Sequence, residues 1–587
     1  MNTHTRMIPA ATLMLATMLA ISSAHSEKPG SLAGPAALAQ RERSTYLVQA
    51  ASSDAAAQLV HMVGGVVVSE LEIIDAVGAK LSAVQASVLE QRAGVRVHHN
   101  RGLETSAQKT ATQPAPTLTD SMTTFLQPIS DAVNGSIVYK DGSGAYSGFL
   151  LETNYPDLVG ARDLHKAGIT GQGVTIAVLD TGLWQNVTDK FDTRVLADVT
   201  FVGASSGAAT GDPSGHGTHV SSIAASGGSN VLGSYYGIAP KANVVVVRAF
   251  NAKGAGSYLD VIEGLNWIVA NRKKYKIRVL NLSFSATPQS HYWDDPLNQA
   301  VMKAWKAGIV VVASAGNDGP IPMTIGVPGN VPYVITTGAV TDNFTPFDGT
   351  DDRLASFSAV GPTHEGFVKP EVLAPGGHMT ASMKNDSYIA LLKAGAMNQY
   401  QSAFTMSGTS QAAGVTTGVV ALMLQASPSL TPDQVKCKLM ASARPAIDSN
   451  GRLAYSVFQQ GSGLVNAAAA ISSAATDCAN RGLDIAADLA GTKHFGGPAN
   501  QDANGNYYVM DMFGKVWGSP LKGDGYTWSQ GYTWSQGYTW SQGYTWSQGY
   551  TWSQGYTWSQ AWPWASNAAF SSGLTETMSI NKWVDPE

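Results

Sequence analysis

The chain reads as an α/β protein, a doubly wound and mostly parallel sheet preceded by a small βαββαβ domain. From residue 151 onward, short apolar runs at 174–179, 243–247, 279–282, 309–313 and 333–337 alternate with helical stretches such as 258–270 and 296–307. Runs apolar on both faces belong to strands covered by helices on both sides, as in parallel sheets. Between residues 44 and 101 the periodicity is different: strand at 45–48, helix at 53–62, strands at 66–68 and 76–81, helix at 84–93, strand at 95–97. That order defines a self-contained unit, which by layout alone also suits a generic ferredoxin-like domain.

The ends and linkers follow from composition. Arg6 precedes an apolar run at 8–21, and Ser23-Ala24-His25-Ser26 supplies small residues for cleavage, so 1–26 reads as a signal peptide. The run is too short to span a bilayer, and no later stretch reads as a transmembrane segment. Export places the protein outside the cell or in the periplasm. There Cys437 and Cys478 can pair in a disulfide, two free buried thiols being the alternative. Residues 102–150, with Thr, Ser, Gln and Pro concentrated at 105–128, read as a linker open to proteolysis. With 587 residues, 44% of them hydrophobic, the chain can build large cores. A net charge of −5, with no basic block, excludes nucleic acid as a partner.

In a doubly wound sheet the ligand site lies beyond the carboxyl ends of the strands, so the residues after each run carry the chemistry. The first run ends in Asp180. Next comes Asp212-Pro213-Ser214-Gly215-His216-Gly217-Thr218-His219, a Gly-rich turn feeding a helix; later runs lead to Asn281-Leu282-Ser283-Phe284-Ser285 and Ala313-Ser314-Ala315-Gly316-Asn317. Finally Ser407-Gly408-Thr409-Ser410 runs straight into a long apolar helix. A hydroxyl held there faces unpaired N–H groups and the positive end of the helix dipole, which favour the oxyanion formed in acyl transfer. The same residues also suit an ordinary Ser/Thr helix cap, and His216 with His219 could ligate a metal, although no third ligand follows at sensible spacing.

Taken in order, the motifs V-L-D-T-G at Asp180, G-H-G-T-H-V at His216, A-G-N at Asn317 and G-T-S-Q-A at Ser410 resemble those of the subtilisin-like serine peptidases, the subtilase family. The resemblance covers about 164–471, and the chain order Asp, His, Ser is that of subtilisin. It implies Ser410 as nucleophile, His216 as general base and acid, Asp180 as its orienting partner and Asn317 as oxyanion donor. It further implies that Gly254, Ala255 and Gly256 on one side and Ser283, Phe284 and Ser285 on the other pair with an extended protein or peptide substrate. Ser314, Ala315 and Gly316, with Gly326 near the floor, would complete the primary pocket. No acid falls among these residues, which favours a large apolar side chain there. The 44–101 unit resembles the inhibitor-like propeptide of secreted subtilases, so the protein's own propeptide is an implied partner. Departures are Gln411 where many subtilases have Met, and Ser285-Ala286 where Gly-Gly is usual. No cofactor is required. Structural calcium is common in the family and Asp348, Asp351 and Asp352 form an acidic turn, but no ligand set matches residue by residue.

By this reading the peptidase domain spans 151–475, a C-terminal extension 476–524, and a tail 561–587. Residues 525–560 repeat G-Y-T-W-S-Q six times without variation. In an extended strand that period puts Tyr, Trp and Gln on one face, a surface that could bind glycan or another strand; a low-complexity tail is the alternative. The rival for the whole chain is a catalytically silent scaffold displaying the repeats as a surface or glycan-binding protein.

Overall fold

The structure is a computed structural model that describes residues 43–100, 154–204, 211–230, 232–343, 351–398, 400–447, 453–501 and 506–510, with short pieces at 139–140, 146–147, 207–208, 516–517, 578–580 and 583–584. The leader, most of the 102–150 linker and the hexad array lie outside the described residues.

The N-terminal unit runs β1 (Ser44–Gln49), α1 (Ser53–Met62), β2 (Val66–Leu71), β3 (Ala76–Leu81), α2 (Ala83–Glu90) and β4 (Arg96–His99). Its antiparallel sheet has the order β2-β3-β1-β4. Ser52 caps α1, and Ser82 with Gln85 forms a reciprocal capping box on α2. Val48, Val60, Leu81 and Leu89 fill the core between helices and sheet. Not foreseen is a single helical turn, Glu72–Ile74, whose Ile73 and Ile74 are buried in the core of the following body rather than in their own.

That body contains β5 (Thr175–Asp180), β6 (Val195–Thr200), α3 (His216–Ala225), β7 (Asn243–Arg248), β8 (Ala255–Gly256), α4 (Tyr258–Asn271), β9 (Ile277–Leu282), β10 (Phe284–Ser285), α5 (Pro296–Lys306), β11 (Val310–Ser314), β12 (Ile335–Thr341) and β13 (Val372–Pro375). Seven of these strands make a parallel sheet in the order β6-β7-β5-β9-β11-β12-β13, edged by antiparallel pieces at 207–208 and 353–354. The winding reverses at β5: the chain first builds β6 and β7 on one side, then β9 onward on the other. The crevice beyond its carboxyl end is the topological switch point at which such sheets bind ligands.

A hairpin of β14 (Met379–Ser382) and β15 (Ala403–Met406) leads into α6 (Thr409–Ala426). Every residue of α6 from Thr409 to Leu424 is buried, because it is enclosed between the sheet and α3. This burial explains why α6 shows no amphipathic stripe in sequence. α7 (Pro432–Ser442) follows, opened by a Thr431–Gln434 capping box. Cys437 on α7 is bonded to Cys478, with Cα atoms 5.1 Å apart. The body runs on past residue 475, where the sequence reading set its boundary: Asp488 is buried and accepts hydrogen bonds from Tyr292 Oη at 2.6 Å and Tyr333 Oη at 3.0 Å.

The N-terminal unit sits on α4 and α5. Ile73 N donates to Asn266 Oδ1 at 3.0 Å, Gln49 Nε2 to Gln299 Oε1 at 2.8 Å, and Arg96 pairs with Asp294 at 3.4 Å. At the end of the unit Asn100 Oδ1 accepts from Leu259 N at 3.3 Å, one turn from β8.

Candidate active site

Asp180 ends β5 at the switch point, and both it and His216 are buried, at 1% and 2% exposure. Asp180 Oδ1 accepts from His216 Nδ1 at 2.7 Å and from Thr181 N at 2.8 Å. His216 is the first residue of α3, preceded by Gly215 at φ 96°, a left-handed turn that aims the imidazole back at β5. The next position demands glycine for space, since a Cβ on Gly217 would lie 2.3 Å from Gly182 O.

Asp212, quoted in the motif but given no role there, organises this turn. Its Oδ1 accepts from Thr181 Oγ1 at 2.8 Å, Ser214 N at 3.1 Å and Gly215 N at 2.9 Å; its Oδ2 accepts from Thr218 N and Thr218 Oγ1, both at 2.8 Å. One carboxylate thereby ties the end of β5 to the start of α3. The signal was available: an Asp shortly before a helix, followed by Pro and Gly, is an Asx-type turn former.

Ser410 is the second residue of α6. Its Oγ donates to Ser283 O at 3.0 Å, while Ser283 Oγ donates to Ser410 O at 3.0 Å, locking the start of α6 to the end of β9. Asn317 lies just beyond β11. Its Oδ1 accepts from Thr409 N at 3.0 Å and Thr409 Oγ1 at 2.8 Å, which orients the amide so that Nδ2 faces Gly408. A Cβ on Gly408 would lie 3.2 Å from that Nδ2 and 2.7 Å from Gln411 Oε1, so a side chain there would displace the Gln411 amide and crowd that of Asn317.

The predicted pairing strands flank this centre as β8 and β10, with Gly254 in the turn before β8. The primary-pocket segments also converge. Ser314 Oγ donates to Phe284 O at 3.2 Å, Gly326 N to Ala315 O at 3.1 Å, and a Cβ on Gly326 would lie 2.8 Å from Ser285 Cβ. Asp318 is exposed. Of the acids in the 289–295 loop, Asp295 caps α5 and Asp294 pairs with Arg96.

His219 serves differently from His216. Burial pushes it down to about 3, its Nε2 meets Phe404 O at 2.9 Å, and Gln411 Nε2 lies 3.3 Å from its Nδ1. The two histidines therefore engage separate partners, Asp180 and the β15 backbone, and do not form a ligand pair. Among the described residues no group of three or more His, Cys, Asp or Glu side chains is placed to hold a metal ion. Asp351 accepts from Asn343 Nδ2 at 3.1 Å, and Asp348 lies outside the described residues.

An α/β sheet with an Asp–His pair at its switch point and a serine at a buried helix N-terminus is an arrangement suited to serine-peptidase chemistry. The subtilase family model matches residues 171–483, and the chain belongs to that family of subtilisin-type serine endopeptidases. It is 40% identical over 285 residues to serine protease AprX of Bacillus subtilis (strain 168), a match covering 47% of this chain and 63% of AprX, just under two thirds of that relative. It is 32% identical over 315 residues to subtilisin DY of Bacillus licheniformis, covering 53% of this chain and 96% of that protein. Subtilisin E of Bacillus subtilis (strain 168) is 30% identical over 312 residues, covering 53% and 68% respectively.

Proposed function

We propose that the protein is an exported endopeptidase, made as a self-processing precursor, that cleaves extended polypeptides through an acyl-enzyme on Ser410. His216 takes the Ser410 proton as Oγ attacks the scissile carbonyl and returns it to the leaving amine. Asp180, bonded to Nδ1, holds the ring with Nε2 facing the nucleophile and stabilises the imidazolium. Asn317 Nδ2 and the Ser410 backbone N–H receive the developing oxyanion. Water then deacylates the enzyme by the same proton path in reverse. The observation that carries this reading is the buried 2.7 Å contact between His216 Nδ1 and Asp180 Oδ1 at the switch point, with Ser410 tied to the end of the neighbouring strand β9. With Asp318 exposed and Asp294 and Asp295 engaged elsewhere, the primary pocket suits a large apolar side chain.

The N-terminal unit supports the precursor reading, because it is docked on α4 and α5 with Asn100 beside the turn that leads out of β8. The Cys437–Cys478 bond suits an oxidising compartment. The hexad repeats are assigned to surface or glycan contact rather than to chemistry, since they supply no ionisable group that the mechanism needs. The test is Ser410→Ala. The variant should accumulate at precursor mass less the leader and resist a phosphonate label, whereas wild type shortens by at least roughly the first hundred residues and is labelled. Normal processing of purified Ser410→Ala, with no other protease present, would reject Ser410 as the nucleophile.

A further inference from the structure

A strand from the far end of the chain already lies in the substrate position. β16 (Met578–Ile580) runs antiparallel between β8 and β10, forming a three-stranded sheet. Ser579 is opposite both Ala255 and Ser285, Met578 is opposite Gly256, and Ile580 is opposite Phe284. These are the two strands whose backbone groups are assigned above to an extended substrate. Further along, Val584 bridges antiparallel to Ser407, three residues before Ser410. The segment thus pairs both with β8 and β10 and with the residue three positions before Ser410. The two residues joining its halves fall outside the described set, but three Cα steps span at most roughly 11 Å.

The second half is anchored by a side chain. The Trp583 ring packs on the cluster of Met383, Ile389, Phe404 and Met406 beneath the β14–β15 hairpin. It meets the Phe404 ring edge-on at 6.1 Å and 71°, and Lys393 Nζ sits 5.3 Å from its centroid. Met383 in turn borders the turn before His216, since a Cβ on Gly215 would lie 2.9 Å from its Cγ. An apolar, Met-lined depression beside the general base, carrying one cation, suits an aromatic side chain.

We propose that the Met578–Ile580 strand, with Trp583 and Val584, is a substrate-like occupant of the cleft in cis, which competes with peptides for β8 and β10, and that the cluster on which Trp583 packs selects an aromatic residue on the leaving-group side of substrates. The proposal rests on the endopeptidase reading of this cleft. Main-chain pairing on both edges makes the segment a general competitor, and Trp583 supplies its specific anchor. Because the segment is tethered, its competition does not dilute with enzyme concentration.

The test uses the full-length protein after release of the N-terminal unit. Ser579→Pro removes a backbone donor from the middle of β16, and Trp583→Ala removes the anchor. Each should lower KM for a short chromogenic peptide about tenfold with kcat unchanged, and raise the rate of phosphonate labelling of Ser410 by a similar factor. A synthetic peptide spanning residues 577–585 should inhibit the Ser579→Pro enzyme competitively, about tenfold better than the same peptide with Trp583→Ala. Unchanged KM and labelling rate in both variants would overturn the proposal while leaving the peptidase reading intact. If no form hydrolyses peptide or takes the label, the peptidase reading fails. Binding of the dye-labelled peptide to Ser579→Pro then decides the docking by itself: saturable binding weakened by Trp583→Ala supports it, and no binding overturns it.

Discussion

In the proposed mechanism Asn317 is prepared for chemistry by its neighbour. Thr409 satisfies its Oδ1 twice, through N at 3.0 Å and Oγ1 at 2.8 Å, which leaves the amide one orientation. A donor aimed in advance costs no reorganisation when charge develops, so its loss falls on the transition state. Asn317→Ala should therefore lower kcat by about 10²–10³ with KM nearly unchanged, the usual effect of removing one such donor. Steady-state kinetics on a short peptide checks this, and a rise in KM at constant kcat would mean that Asn317 binds substrate instead. Residue types were legible at this level because the motifs at Asp180, His216, Asn317 and Ser410 each follow a strand or open a helix. The orienting role of Thr409 was not, since a threonine beside a serine gives no sign of which partner it meets across the fold.

α6 and α7 show where local patterning succeeds and where it stops. Thr431-Pro432-Asp433 has the make-up of a helix start, and α7 opens there, bringing the Cα of Cys437 to 5.1 Å from that of Cys478. The bond closes a loop of 41 residues, which in the chain-entropy model is worth roughly 4 kcal/mol. Replacing both cysteines by alanine should lower unfolding stability by up to about that amount in a urea titration, with peptide turnover at 25 °C unchanged. α6, by contrast, has no polar face to betray its orientation. Its placement between the sheet and α3 comes from total burial, which no helical periodicity encodes.

Docking of the N-terminal unit joins two titratable groups of opposite tendency, one buried and one half-buried. His98 is pushed down to about 4, chiefly by burial and then by Arg96, and contacts Gln49, which reaches Gln299 of the body. Glu263 on α4, facing Ser69 of the unit, is pushed up to about 7, chiefly by burial, with Asp260 adding to the rise. A depressed histidine contributes stability that is present above its ordinary value near 6.5 and is lost as pH falls towards about 4. A raised carboxyl contributes stability that is present below about 4.5 and is lost as pH rises through about 7. The two contributions run in opposite directions over nearly the same window. Protection of the docked unit in the Ser410→Ala precursor, read by hydrogen exchange between pH 4.5 and 7, should therefore change little in that background. His98→Gln should make protection increase as pH falls, and Glu263→Gln should make it decrease. Parallel profiles for all three proteins would show that neither group titrates with docking.

The sequence by itself determined five of the seven parallel strands, the order of the N-terminal unit and the residue types that the motifs carry, because these depend on what lies within a few residues: period, capping and turn chemistry. The βαββαβ order, the five apolar runs and the family motifs are all local in this sense. Only the tertiary structure decided which distant groups meet. It assigned Ile73 and Ile74 to the core of the body, made Asp212 the tie between β5 and α3, and set β16 between β8 and β10. Each of these joins segments tens to hundreds of residues apart, and what selects them is complementary burial or an open strand edge. An edge offers only backbone N–H and C=O groups, which nearly every residue possesses. A segment such as Met578–Ile580 therefore carries no local signature of the place it takes.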